Sequence, residues 1–198
     1  GVLTASEQDK AIDLFAAIPF DPQPLELSAE QQHVFDELLP NLEDSRPHAA
    51  LLHGVTGSGK TIVFLRLIQR TLELGRKALV LVPEISLTPQ MIQRLKSTFG
   101  SRLAVQHSAL NNTERLLQWR MIQQGNADIV VGTRSAVFAP LQNLGLIIMD
   151  EEQEHTYQSE SAPRYDAHDV AKKRAVMENA LLLFASATPL TETYHAAQ

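Results

Sequence analysis

The sequence predicts an α/β fold: an open, mostly parallel central sheet with helices on both faces. Two observations carry this. From Ala49 onward, strand-like and helix-like segments alternate, and the strand-like ones, such as Ala78–Val82 and Leu144–Met149, are near-continuous apolar runs. Unbroken apolar runs belong to strands covered on both faces, whereas half-exposed strands alternate with polar residues. A length of 198 residues with 44% hydrophobic content suits one globular domain with a full core. In such a sheet the crossovers are right-handed and ligands collect at the carboxyl ends of the strands.

Residues 1–26 form a lead-in, with a short helix expected over Ser6–Ala17 before Pro19, Pro22 and Pro24 break regular structure. The main domain is expected from Leu27. Ser28 is placed to N-cap a helix, with Gln31 at the reciprocal capping-box position. Ala49–His53 reads as a strand and Lys60–Leu74 as a helix stopped by Gly75. Next come a strand over Ala78–Val82 and a helix over Thr88–Phe99, with Pro89 in its first turn. A short strand over Leu103–Gln106 and a helix over Asn112–Gln124 follow. The remaining expectations are strands at Asp128–Val131 and Leu144–Met149, a helix at Ala167–Glu178 and a last strand at Ala180–Phe184.

Composition narrows the function. A formal net charge of −6 argues against broad, non-specific adhesion to nucleic acid but leaves room for a local track built from a few loops. No run of eighteen apolar residues exists, and Gly1–Lys10 lacks the basic start and apolar stretch of a signal peptide. With no cysteine there is no disulfide framework and no thiolate metal site. The expectation is a cytoplasmic protein without membrane contact.

The most informative stretch is Gly54-Val55-Thr56-Gly57-Ser58-Gly59-Lys60-Thr61, which satisfies GxxxxGK[ST] between a strand and a helix. Its glycines let backbone N–H groups curl around a polyphosphate, and the helix N-terminus adds partial positive charge there. Lys60 is expected to reach the β- and γ-phosphates of ATP, and the Thr61 hydroxyl to ligate Mg²⁺. A second acidic motif, Asp150-Glu151-Glu152-Gln153, follows the strand at Leu144–Met149. Asp150 would hold Mg²⁺ and Glu151 would polarise the attacking water, so Lys60, Asp150 and Glu151 are the candidate catalytic residues. Ser186-Ala187-Thr188-Pro189 ends the last strand. Its hydroxyls suit a relay from the γ-phosphate region, although a plain Ser/Thr-Pro turn explains them equally. Gln31 offers a donor and an acceptor together, which suits the edge of adenine as well as helix capping.

Taken together, Leu27-Ser28-x-x-Gln31, GVTGSGKT, DEEQ and SAT resemble, in order and spacing, the Q-motif and motifs I, II and III of superfamily-two helicases and translocases. Within that group the chain is most similar to the primosomal replication-restart helicases. The strings Val82-Pro83-Glu84-Ile85-Ser86-Leu87-Thr88-Pro89-Gln90 and Gly132-Thr133-Arg134-Ser135-Ala136-Val137-Phe138-Ala139-Pro140 look like motifs Ia and Ib of that family. The likeness runs from about Leu27 to the end. It implies a single RecA-like P-loop domain: residues 27–198 as the helicase ATP-binding lobe and 1–26 as a linker remnant from a preceding domain. Two positions depart from the family, Gln153 where it usually has His and His168 where it tends to have Arg.

The resemblance implies a lobe of an ATP-dependent 3′-to-5′ DNA helicase that assembles a primosome at stalled forks. Its partners would be single-stranded and forked DNA, a second RecA-like lobe in cis, and single-stranded-DNA-binding and primosome proteins. Zinc is expected only in a second half beyond residue 198. Without the second lobe, this chain alone is expected to bind nucleotide but hardly to hydrolyse it. Thr88, Thr133, Arg134 and Ser135 would touch DNA phosphates, although Thr88 also suits helix N-capping. Tyr157, Arg164 and Tyr165 would belong to an aromatic loop that senses single-stranded DNA. Gln153, Ser186 and Thr188 would couple hydrolysis to movement. Trp119 reads as a packing residue. Two other readings stand beside this one: the lobe of a fork-reversal or repair translocase, and a non-catalytic protein-binding module of a primosome.

Overall fold

A computed structural model describes residues 20–21, 24–55 and 57–196. The helix expected over Ser6–Ala17, and Thr56 of the phosphate-binding loop, lie outside the described residues. Six strands form one sheet: β1 (His48–His53), β2 (Lys77–Leu81), β3 (Leu103–Gln106), β4 (Ile129–Gly132), β5 (Leu144–Asp150) and β6 (Leu181–Ser186). Their spatial order is β1-β6-β5-β2-β4-β3, and every pairing is parallel. The expected mostly parallel sheet is therefore wholly parallel.

Helices α1 (Ala29–Glu43), α2 (Lys60–Glu73), α3 (Pro89–Phe99), α4 (Asn112–Gln123) and α5 (Ala167–Glu178) cover it, and a short α6 (Thr191–Ala196) follows β6. Period-two alternation divides the core between the two faces. Ala78, Val80 and Val82 join Phe35, Phe64 and Leu95 of α1–α3 in one cluster. Leu79 and Leu81 join Ile122 and Ala171 of α4 and α5 in the other. The sequence assigns most elements to within two residues. It gives no warning of α6 or of the short 3₁₀ segments at Glu84–Ser86 and Arg134–Phe138.

Local signals set the helix ends. Ser28 accepts from the Gln31 N–H while Gln31 Oε1 accepts from the Ser28 N–H, the expected capping box. Gly75, with φ at +71°, takes the left-handed position just after α2. The register of β6 matters most for function. It sets Ser186 opposite His53 on one side and Ala185 opposite Asp150 on the other. The ends of β1, β6 and β5 therefore lie side by side, and three sequence motifs meet there.

Candidate nucleotide site and its neighbours

The loop after β1 turns on Gly57 and Gly59, with φ of +84° and +80°, values that side chains with a Cβ rarely adopt. At Gly59 a Cβ would also come within 2.4 Å of the Gln31 amide. Lys60 Nζ donates to the Gly54 carbonyl at 2.7 Å and lies 3.5 Å from the Val55 carbonyl, so its ammonium sits against the loop. Ser58 is exposed, as is Val55 at 72%.

Gln31 is a structural brace as well as a candidate adenine contact. Its Oε1 closes the capping box and its Nε2 donates to the Ser58 carbonyl at 3.2 Å. One amide hydrogen remains for a ligand. Gln31, Gly57, Gly59, Lys60, Thr61, Asp150 and Glu151 line one cavity of about 430 Å³. Arg94 of α3 lines it too, and nothing in the sequence reading pointed to that residue.

Asp150 ends β5. Burial and the neighbouring Glu151 carboxylate push its pKa up to about 6, against the lowering pull of the Glu151 N–H and of Lys60. Glu151 has φ of +47°, an uncommon left-handed geometry for a residue with a side chain, and its N–H donates to Asp150 Oδ1. The residues fit a magnesium nucleotide: a loop with glycines at two positive-φ positions, an ammonium beside it, and a half-buried carboxylate whose charge a divalent cation would favour.

The residues expected to form a relay are joined by a chain of hydrogen bonds. Gln153 Nε2 donates to Glu151 Oε2 at 2.9 Å, the Ser186 hydroxyl donates to Gln153 Oε1 at 2.5 Å, and the Thr188 N–H donates to Ser186 Oγ at 2.9 Å. The Gly54 N–H donates to the Ser186 carbonyl, which closes the circuit to the phosphate loop.

Glu152 was not foreseen. It is fully buried, and its carboxylate accepts from the Leu190 N–H at 2.8 Å and the Thr193 hydroxyl at 3.2 Å. His168, where the resembling family tends to have Arg, lies beneath it. Its Nε2 is 2.8 Å from the Glu152 carbonyl and its Nδ1 2.7 Å from Asp166 Oδ1.

The DNA-facing expectations divide. Thr133, Arg134 and Ser135 line a second, larger cleft at the ends of β3 and β4. Thr88 does not line it; the residue is exposed and caps α3, accepting from the Met91 N–H. Arg134 is half-buried and tied back to the protein, donating to the Thr156 and Gln158 carbonyls with its guanidinium over the Tyr165 ring. Tyr165 packs edge-on against Phe138, and Arg164 is exposed.

Tyr157 is a correction. It is 1% exposed, and its hydroxyl lies 3.0 Å from the Leu81 carbonyl and 2.7 Å from the Asp150 carbonyl. An aromatic residue in a polar stretch looks like a surface residue, but here the ring fills the core under the ends of β2 and β5. It does not reach DNA.

A model of the DEAD/DEAH box helicase family matches residues 28–196. The chain belongs to the DEAD/DEAH box helicase family. Membership in this helicase family implies the use of nucleotide and Mg²⁺ in general. The chain is 49% identical over 176 residues to the replication restart protein PriA of Bacillus subtilis, covering 89% of this chain and 22% of that protein. It is 40% identical over 194 residues to PriA of Chlamydia pneumoniae, covering 98% and 26%. The chain thus spans about a quarter of the length of these relatives. Among solved structures, RecG bound to a three-way DNA junction matches with a TM-score of 0.65 at 23% identity, covering 99% of this chain and 24% of that one. The Pyrococcus furiosus Hef helicase domain matches at 0.61 and 18% identity, covering 86% and 35%. At these identities the structural matches show a shared fold. Among the described residues, no helix of this family member is long and apolar enough to cross a membrane.

Proposed function

We propose that this chain is the ATP-binding lobe of a DNA helicase that restarts replication, moving 3′ to 5′ along single-stranded DNA. The observation that carries this reading is the convergence of Lys60, Thr61, Asp150 and Glu151 on one cavity at the ends of β1 and β5. The PriA relatives support the choice of motor.

The backbone N–H groups around Gly57–Lys60 would cradle the phosphates and Lys60 would neutralise their charge. Thr61 and Asp150 would hold Mg²⁺. When bound, the metal offsets the charge that builds on the phosphoryl group in transit. Glu151 would orient the attacking water, and the Gln31 amide would contact the adenine edge. The chain from Glu151 through Gln153 to Ser186 and Thr188 would report the state of the phosphate to a neighbouring lobe in cis. Thr133, Ser135 and Arg164 would face DNA, with Thr88 at the edge of that surface. Single-stranded-DNA-binding and primosome proteins are the further partners of this reading, and a zinc site would lie beyond residue 198.

Titration with Mg-ATP and steady-state hydrolysis, each with and without forked DNA, test it. Binding is expected with hydrolysis near background in both states, because a second lobe would supply the remaining catalytic charge. Lys60→Ala should weaken nucleotide binding by roughly 10- to 100-fold, the worth of a charge-assisted hydrogen bond. Robust turnover that ignores DNA would overturn the half-site reading and indicate a self-contained ATPase.

A further inference from the structure

Strand β1 is one edge of the sheet and β3 the other. The β3 edge is closed: its residues are all buried, and the outward N–H of Val105 donates to Gln118 Oε1 of α4 at 2.8 Å. The β1 edge is open. The His48 and Gly54 N–H groups donate to the Ala180 and Ser186 carbonyls of β6. Bonding alternates from residue to residue along a parallel strand, so the N–H and C=O groups of Ala49, Leu51 and His53 point the other way. Among the described residues no strand pairs with β1 on that side. Ala49 and His53 are exposed. Edge strands are usually guarded by lysine, proline, a bulge or a cover, and His48–His53 carries neither lysine nor proline.

Beside this edge, on the α5 face of the sheet, lies a groove of about 580 Å³. Its floor is apolar, with Leu51, Phe184 and the exposed Leu190. Its rim is acidic. The carboxylates of Asp169 and Glu192 are exposed, that of Asp166 is engaged by His168, and Lys172 is the lysine set against them. A second copy of the chain, paired antiparallel through β1, would bring one acidic rim up to another. A wholly apolar or acidic segment would leave the same carboxylates unanswered.

We propose that β1 is a docking edge that takes a further strand from a partner polypeptide, with apolar and basic side chains together on its groove side. The strand's backbone would bond to Ala49, Leu51 and His53. A leucine or valine would cover Leu51 and Phe184. An arginine or lysine would lay its stem along Leu190 and carry its charge to Asp169 and Glu192. Strand addition of this kind draws affinity from the main chain and selectivity from alternate side chains. No residue of the nucleotide cavity lines this groove, so the inference stands apart from nucleotide binding.

The test is amide hydrogen exchange by NMR on the isotope-labelled chain, alone and with a blocked hexapeptide of sequence Leu-Thr-Arg-Thr-Leu-Thr. In the dilute chain alone, Ala49, Leu51 and His53 are expected to exchange faster than Ala50 and Leu52, whose N–H groups face β6. The peptide at ten times its Kd should slow the outward amides roughly tenfold. With glutamate in place of its arginine, it should bind roughly three- to tenfold more weakly, because surface attractions become repulsions. Asp169→Lys should narrow or reverse that preference. Slow outward amides in the dilute chain alone, slowing that grows with chain concentration (a second copy on the edge), or equal binding of the two peptides overturns the inference. So does binding of neither peptide. These results are read on the unaltered chain, so they stand whether or not the variant folds. An unmoved preference in folded Asp169→Lys overturns the inference as well.

Discussion

Replacing Asp150 with Asn should stabilise the metal-free chain while removing the carboxylate proposed to hold magnesium. Burial and Glu151 raise the Asp150 pKa from an ordinary 3.8 to about 6. The native state therefore holds its proton longer than the unfolded chain, so between about pH 4 and pH 6 stability falls as pH rises. Above pH 6 the loss is complete. A shift of about two pKa units at 1.36 kcal/mol each corresponds to about 3 kcal/mol of destabilisation at pH 7.5. Asn carries no charge, and its carbonyl still accepts from the Glu151 N–H. Urea denaturation in EDTA should show Asp150→Asn about 3 kcal/mol more stable than the unaltered chain at pH 7.5 and equal to it near pH 4. In melting temperature that is a rise of roughly 6–12 °C. With Mg²⁺ and nucleotide added, only the unaltered chain should gain strongly. A variant that is equally stable or less stable at pH 7.5, or a difference that does not depend on pH, would refute the assignment of a destabilising buried charge to Asp150.

Three further outcomes follow from packing. Glu152→Gln leaves a single carbonyl oxygen for the Leu190 N–H and the Thr193 hydroxyl, and should cost roughly 1–3 kcal/mol in urea denaturation. Tyr157→Phe loses the hydroxyl between the Leu81 and Asp150 carbonyls and should cost about 1 kcal/mol, with single-strand affinity unchanged; a drop in DNA affinity would return Tyr157 to the DNA surface. Gly132→Ala pushes a methyl into the Gln106 carbonyl and Ala136, and calorimetry should show roughly 1–3 kcal/mol of destabilisation, as overpacking gives.

The fold was legible because its strands carry continuous apolar runs and its helices carry their own caps. Ser28 with Gln31, Thr88 before Pro89, and Gly75 are local signals that tertiary contacts did not override. The candidate nucleotide site was legible for a related reason: a glycine loop and a strand-end carboxylate are each confined to short stretches of sequence. Residues whose role depends on distant partners were not legible. Arg94 reaches the nucleotide cavity from a helix whose sequence shows only amphipathic packing. Glu152 looks like one more acid in an acidic turn until β6 and α6 close over it. Tyr157 misleads because its polar neighbours, Glu154 to Gln158, face solvent while a 3₁₀ turn rotates the one ring inward. Gln106 ends a four-residue strand, and its buried Nε2, which has no hydrogen-bond partner among the described residues, becomes visible only when β4 is laid beside it.

The four residues of the acidic motif point in different directions, so one turn makes contacts on three sides. Asp150 and Glu151 face the nucleotide cavity. Glu152, buried beneath them, grips the backbone at Leu190 and the hydroxyl of Thr193, so the segment that follows β6 hangs from the same turn. Gln153 spans the gap between Glu151 and Ser186. A single left-handed residue, Glu151, makes this fan-out possible by reversing the chain directly after β5. Such a conformation is costly for a residue with a Cβ and persists only where the surroundings hold it. Here Tyr157 holds the Asp150 carbonyl from below and β6 receives the Glu152 N–H at the Ala185 carbonyl. A change at the Glu151 carboxylate therefore reaches Ser186 through one side chain and Leu190 through the next residue of the backbone. An amide at position 153 suits this arrangement, because it donates to the carboxylate and accepts from the hydroxyl with no change of charge as it does so.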